Sequence, residues 1–236
     1  MEIVFLGIFN VVSGSILRFL AEYQLEHKIE RDREKQYVES MVADMKNDAT
    51  KIKKTIAFCT TQLAAFDSLA QNIYHTPYTD SSLRMMYYLQ RKYTSIRKPV
   101  SFTKRTITQL KSSGGLRLIL NKAASDSIVV YDETCEKAEV QESNFANVRM
   151  GKVNDFTIRL FDSKYIFNYN RNTIADILKK KEPIALLNND EKLIKQYANS
   201  IYFAKGSLTS YVVILKELEN RIPAMTKFLE KEYHLE

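Results

Sequence analysis

Apolar residues recur along this chain at alternating steps of three and four in two long runs, the repeat that lines one face of an α-helix. The first run is Val38, Val42, Met45, Ala49, Ile52, Ile56, Cys59, Leu63, Phe66, Ala70 and Ile73, and Tyr74-His75-Thr76-Pro77 stops it. The second is Ile194, Tyr197, Ile201, Ala204, Leu208, Tyr211, Leu215, Leu218, Ile222, Met225 and Leu229. Asn188-Asn189-Asp190 offers N-caps for that helix, and Pro223, which has no backbone donor, predicts a kink near its end. A third long helix is predicted over 125–161. Ile128, Tyr131, Cys135 and Ala138 begin its stripe, which blurs after Glu142.

Shorter pieces connect these. Asp80 can cap a helix from Ser81 to Ser95, stopped by the Lys98-Pro99 step. A second runs from Thr103 to Ser113, where Gly114-Gly115 makes a C-cap and turn, and Leu116–Leu120 follows as a brief apolar helix. Asn172 or Thr173 caps a last short helix ending before Pro183. The chain order predicts three long antiparallel helices. On that layout the 80–122 hairpin lies beyond the far end of the first helix, the 163–187 connector lies nearer the amino-terminal end, and the carboxy terminus points away.

The amino terminus reads differently. Residues 3–21, IVFLGIFNVVSGSILRFLA, hold one charge, Arg18, and twelve of the nineteen are Leu, Ile, Phe or Val. As a helix they cover about 28 Å, close to the hydrocarbon thickness of a bilayer. No basic leader or small-residue cleavage site marks a signal peptide, so a retained membrane anchor is expected over 1–21. Gly7, Asn10, Val11, Gly14 and Arg18 share one side of that helix, the small and polar residues that membrane helices use to pack on each other. Residues 22–36 carry charge on every face and read as a solvated helical stalk, and 37–236 form the bundle domain. Five Lys or Arg (18, 28, 31, 33, 35) lie at or just after the span. The positive-inside rule then puts the bundle in the cytoplasm if the chain begins at Met1.

The formal charge of +7 sharpens this picture once it is located. Between Ser81 and Ser125 lie ten Lys or Arg and no acid, so the remainder of the chain sums to −3. Arg84, Arg91, Lys92, Arg97, Lys98, Lys104 and Arg105 are the candidates for meeting an acidic partner. The favoured reading is intramolecular pairing with the acidic run Asp132, Glu133, Glu136, Glu139 and Glu142 on the next helix, or plain solvation. Lys179, Lys180 and Lys181, on the connector expected near the bilayer, are candidates for headgroup contact. Nucleic acid is the least favoured partner of the basic block.

Motif chemistry is absent. The three His are scattered, no H-E-x-x-H pair occurs, and no glycine loop of the phosphate-cradling kinds is present. Two cysteines 76 positions apart exclude a disulfide framework and a Cys-type zinc site. No catalytic residue, cofactor or metal is therefore expected, and the chain does not read as an enzyme. Of the fourteen Tyr, Tyr131, Tyr197 and Tyr211 fall on core stripes, whereas Tyr87, Tyr88 and Tyr93 lie in the basic hairpin.

Two segments also carry a resemblance. KQYVESMVADMKND at 35–48 and TITQLKSSGGLRLILNKAASDSIVVY at 106–131, after the hydrophobic start, resemble an uncharacterised family of single-span membrane proteins common in Bacteroidota. Its later segment reads L-x-SSG-x-LRLI-x-NK…I-x-x-Y, matched here by Leu110, Ser112, Ser113, Gly114, Leu116 to Ile119, Asn121, Lys122, Ile128 and Tyr131. The resemblance implies a membrane location and a helical fold and brings no activity. Relatives often carry a basic tail before the span, absent here, which leaves the side of the membrane open.

The expectation is an all-α protein: an amino-terminal transmembrane helix, then an elongated antiparallel bundle of about three long helices plus a short helical hairpin. Its expected place is a bacterial inner membrane, spanned once, with the bilayer contacted through 3–21. Its expected role is protein–protein interaction or scaffolding in the cell envelope, with a second copy or another membrane protein as partner. The alternatives are a sensory bundle that binds a small ligand, and nucleic-acid binding through 81–125.

Overall fold

The computed structural model describes residues 2–112, 114–168 and 173–235, with side chains from Arg18 onward except at 166–168. It is all-helical, 82% helix, with no strand among the described residues. Eight α-helices follow in order among these residues: α1 (Glu2–Tyr74), α2 (Asp80–Leu89), α3 (Arg105–Ser112), α4 (Lys122–Val148), α5 (Asn154–Leu160), α6 (Ser163–Asn168), α7 (Ile174–Leu178) and α8 (Glu191–Glu232). Two π-helical turns, Gln90–Thr94 and Arg149–Val153, continue α2 and join α4 to α5, and a 3-10 turn spans Gly115–Leu118. The chain divides into two compact units. The first holds residues up to Asn47, Thr103–Val130 and Pro223 onward; the second holds Asp48–Phe102 and Tyr131–Ile222.

Local chemistry sets the helix ends. Thr79, not Asp80, caps α2, in a reciprocal box with Ser82, and Thr173 caps α7 in the same way with Asp176. Asp190 Oδ1 accepts from the N–H groups of Lys192 and Leu193 at the start of α8. Gly114 sits at φ +66°, the left-handed conformation that ends α3 cheaply only without a Cβ. Helix α8 runs on through the exposed Pro223 to Glu232.

Burial follows the predicted seams with one change of phase. A series of buried positions on α1 steps 4-3 without a slip through Glu34, Val38, Met41, Met45, Asp48, Ile52, Thr55, Cys59, Gln62, Phe66, Leu69 and Ile73. The apolar series expected from sequence shares every second of these, Val38, Met45, Ile52, Cys59, Phe66 and Ile73. Its intervening members Val42 and Ala70 are also buried, whereas Ala49, Ile56 and Leu63 are half-buried and Asp48, Thr55 and Gln62 fill the inner places there. On α4 and α5 the seam is Ala124, Ile128, Tyr131, Cys135, Ala138, Glu142, Phe145, Arg149, Val153, Thr157 and Leu160. The stripe that blurs in the sequence continues here through charged residues. The π turn then lengthens its steps to four, because one extra residue per turn rotates the face.

The order of segments corrects the expected layout in each unit. In the first, Asn47 bonds Thr103, Asp44 accepts from Thr106 at 2.5 Å, and Glu34 accepts from the backbone of Leu120 at 2.7 Å. Residues 103–121 therefore descend antiparallel to α1. The end of α8 does the same: Lys46 pairs with Glu230 at 2.6 Å, and Tyr233 reaches Glu34. The carboxy-terminal end thus lies against Glu34, where α1 first becomes buried, instead of pointing away. In the second unit Lys51 reaches Ser101 and Gln62 reaches the carbonyls of Tyr93 and Ile96. Residues 80–102 run antiparallel to α1 there, and α4 runs parallel to it, with Tyr131 donating to Asp48 at 2.7 Å. Each unit is an up-down-up-down arrangement of four segments. Of the expected 80–122 hairpin, residues 80–102 are the second segment of one unit and 103–121 the second segment of the other. This was hidden because the helices are short and joined by the extended stretch around Pro99, which covers more length per residue than helix.

Among the described residues no helix is long and apolar enough to cross a membrane. The expected span, and with it Gly7, Asn10, Val11 and Gly14, lies outside the residues whose side chains are described, apart from Arg18 to Ala21. Arg18 is exposed and pairs with Glu22 at 3.0 Å, one turn on.

Candidate functional site

The basic block proves chemically mixed. Arg84 is buried and donates to the carbonyl of Glu182, and Arg97 forms a two-pronged ion pair with the buried Glu142. That pair realises one contact of the expected kind between basic block and acidic run. Lys92 Nζ donates to the Tyr88 hydroxyl at 2.7 Å and lies 6.0 Å from the Tyr93 ring; Lys98 lies over the ring of Phe58 at 5.4 Å. Lys104 and Arg105 are exposed and belong to the first unit, whereas Arg84, Arg91, Lys92, Arg97 and Lys98 belong to the second. Tyr87 is wholly buried: its hydroxyl donates to Ala185 O and accepts from Asp162 N–H, both at 2.8 Å. It is a strut.

Lys179–Lys181 follow α7 in the second unit, in the connector whose Glu182 and Ala185 carbonyls pack on α2. Glu191, which opens α8 after that connector, helps line a cavity of about 590 Å³ with Ile73 and Tyr78 at the carboxy-terminal end of α1. Within this unit the connector thus leads to the carboxy-terminal end of α1.

Where the two π turns meet, the second unit carries a polar cluster in its core. Thr94 Oγ1 donates to Gln90 O, Arg149 Nη1 reaches Thr94 O at 3.5 Å, and Gln90 Nε2 donates to Thr157 Oγ1 at 3.1 Å. Thr157 Oγ1 spends its proton on Val153 O at 2.8 Å, so it can only accept from Gln90. This fixes the amide orientation and aims Gln90 Oε1 away. Three buried side-chain atoms have no partner among the described residues: Gln90 Oε1, Arg149 Nε and Tyr197 Oη. All three belong to this cluster. Tyr197 lies beside Thr157 without reaching hydrogen-bond geometry, and burial pushes its hydroxyl well above the usual phenol range.

Arg149 is the most unusual member. Its residue is 9% exposed, and Glu142, the carboxylate that could balance it, is already held in two-pronged fashion by Arg97. Burial, and then the charge of Arg97, draw its affinity for the proton below the ordinary guanidinium level, against the pull of Glu142. A buried cation normally has a partner and a full set of acceptors. Sequence reasoning missed the cluster because polar residues in a seam look like its end; the signal available was their spacing, which keeps step with Ala138 and Phe145.

Cys59 and Cys135 are both buried free thiols, pushed up to about 11 and about 12 chiefly by burial. They are inert, as seam positions imply. Among the described residues no group of three or more His, Cys, Asp or Glu is placed to hold a metal ion.

The outer face of α8 is distinct in another way. Asn199, Tyr202, Phe203, Gly206, Thr209, Ser210 and Val213 are exposed and uncharged over four turns. Phe203 is 58% exposed, with Lys152 Nζ over its ring at 4.4 Å, and Val213 is 60% exposed. Thr209 and Ser210 donate back to the carbonyls of Lys205 and Gly206, so their polar groups are already occupied. No protein-family model, curated protein or solved structure matches the chain.

Proposed function

We propose that this chain is a membrane-tethered helical bundle that works as a protein–protein interaction module of the cell envelope, the tether being residues 3–21 of a singly spanned bacterial inner membrane. The observation that carries the interaction reading is the outer face of α8, whose own exposed side chains over 199–213 are uncharged and which Lys152 meets only at the Phe203 ring. Lys205 is the one charge within 199–213, half-buried and tied to Asp67 at 2.5 Å. Solvated helix faces are normally charged, and an aromatic pair beside small residues lets a second helix approach closely. The tether is supported by the sequence of 3–21, by the family resemblance, and by the adjoining turn of the same helix. Phe19, Leu20 and Tyr23 stand 67%, 50% and 50% exposed, an apolar and aromatic edge suited to a membrane–water interface.

The tether predicts that the full chain pellets with membranes through an alkaline wash and is released by detergent; recovery in the wash would remove it. For the face, Thr209→Cys is oxidised in membranes, the native thiols being buried. A crosslink, to a second copy or to another membrane protein, that Phe203→Asp abolishes is the expected result. A monomer in both variants contradicts the reading.

A second reading, a ligand-sensing bundle, is favoured by one specific observation, the three orphaned polar atoms at the π turns. π turns occur often at functional sites, since the extra residue redirects side chains. For nucleic acid the structure adds no support: Arg84 is buried and Arg97 is paired with Glu142.

A further inference from the structure

We infer that the polar cluster between the two π turns is a binding site for a small hydroxy acid, a carboxylate with an O–H donor a few atoms away. The inference deepens the ligand-sensing reading and rests on it; it is independent of the membrane tether and of the α8 face.

The chemistry of the three orphaned atoms selects the ligand. Arg149 Nε is a charged donor with no acceptor, and the same guanidinium makes only a 3.5 Å contact with Thr94 O. Two arginines, Arg97 and Arg149, face the single carboxylate of Glu142, and Arg97 occupies both of its oxygens. One positive charge is thus left over inside the unit, and it calls for an anion. Carboxylates suit it best, because guanidinium donors match their geometry. Gln90 Oε1 calls for the opposite group, a donor, since the accepting Thr157 hydroxyl holds the amide in one orientation. A simple anion would leave that carbonyl unpaired. Tyr197 Oη, close to Thr157, lies at the Gln90 end and can donate or accept there.

One molecule with a carboxylate at one end and a hydroxyl at the other answers all three. Neither neutral diols nor simple carboxylates do.

The test uses the detergent-solubilised full chain at constant ionic strength. Acetate, 3-hydroxybutyrate, 4-hydroxybutyrate and 1,3-butanediol are compared by thermal shift and calorimetry. The expected result is saturable binding of a hydroxybutyrate at least ten-fold tighter than acetate, with no response to the diol. Gln90→Leu should remove the hydroxyl preference while acetate binding stays within two-fold; Arg149→Met should abolish binding of every acid. Should Arg149→Met not fold, the Gln90→Leu comparison decides alone. No saturable response to any acid, meaning that the orphaned atoms hold ordered water only, overturns the inference. So does binding that survives Arg149→Met, or a hydroxyl preference that survives Gln90→Leu. Loss of the α8 crosslink or of the tether would leave these results unchanged.

Discussion

The first unit buries Glu34 and the second buries Arg149, both on seam positions of long helices, and their surroundings could hardly differ more. Glu34 accepts from Leu120 N–H at 2.7 Å, Asn121 N–H at 3.4 Å and the Tyr233 hydroxyl at 2.6 Å. It thereby ties the start of the buried part of α1 to the turn before α4 and to the end of α8. Arg149 has one contact at the limit of a hydrogen bond and one orphaned nitrogen. A saturated buried charge is an architectural clamp, because removing it strands its partners. A buried charge left short of partners contributes little to the fold, and its presence has to be explained by something else.

The largest effect expected from breaking this contrast is at the clamp. Glu34→Leu leaves one hydroxyl and two backbone donors unsatisfied and should lower stability by about 3–5 kcal/mol. Urea unfolding of the full chain followed by circular dichroism measures it. A change under about 1 kcal/mol would mean that water takes over the three donors. Next comes Tyr87→Phe, the saturated group of the second unit, which strands Ala185 O and Asp162 N–H. Its expected cost is about 1–3 kcal/mol, with amide exchange rising first around 160–187.

Smaller changes test the backbone. Gly114→Ala forces a Cβ into the left-handed region and should cost about 1 kcal/mol. Gly206→Ala, where an added Cβ meets nothing within 4 Å, should gain about 0.5–1 kcal/mol from helix propensity. The two thiols have the smallest effect at ordinary pH. Their folded values, about 11 and about 12, stand above the ordinary 9.0, so the folded state keeps its protons longer. Their contribution is whole below pH 9 and fades as pH rises through 11 to 12. At pH 8 a thiol reagent should label neither cysteine until the second unit opens.

Much of the fold was legible in the sequence, for a definable reason. The α8 seam is apolar almost throughout, from Ile194 to Leu229, so periodicity located the helix and its face together. On α1 the apolar residues gave the helix but a shifted face, since Asp48, Thr55 and Gln62 occupy the inner positions. Spacing records which residues are apolar, not which polar ones find partners. The expected three-helix layout failed for a related reason. Residues 80–121 descend beside α1 as short helices and extended chain, a pattern with no single period to read. The α8 face escaped because uncharged surface, unlike a charge run, leaves no mark in composition. The cluster at the π turns was invisible for a third reason: Glu142, Arg149 and Thr157 each read as solvent-facing until their spacing is set against Ala138, Phe145 and Leu160.

The central claim, that the second unit keeps a buried charge for binding and not for stability, has one direct test. Arg149→Met replaces the guanidinium with an apolar chain of similar reach and leaves Glu142 with Arg97. Urea unfolding of that variant should show stability unchanged within about 1 kcal/mol, or increased. A loss of about 3 kcal/mol or more, matching Glu34→Leu, would make Arg149 a clamp like Glu34 and contradict the account.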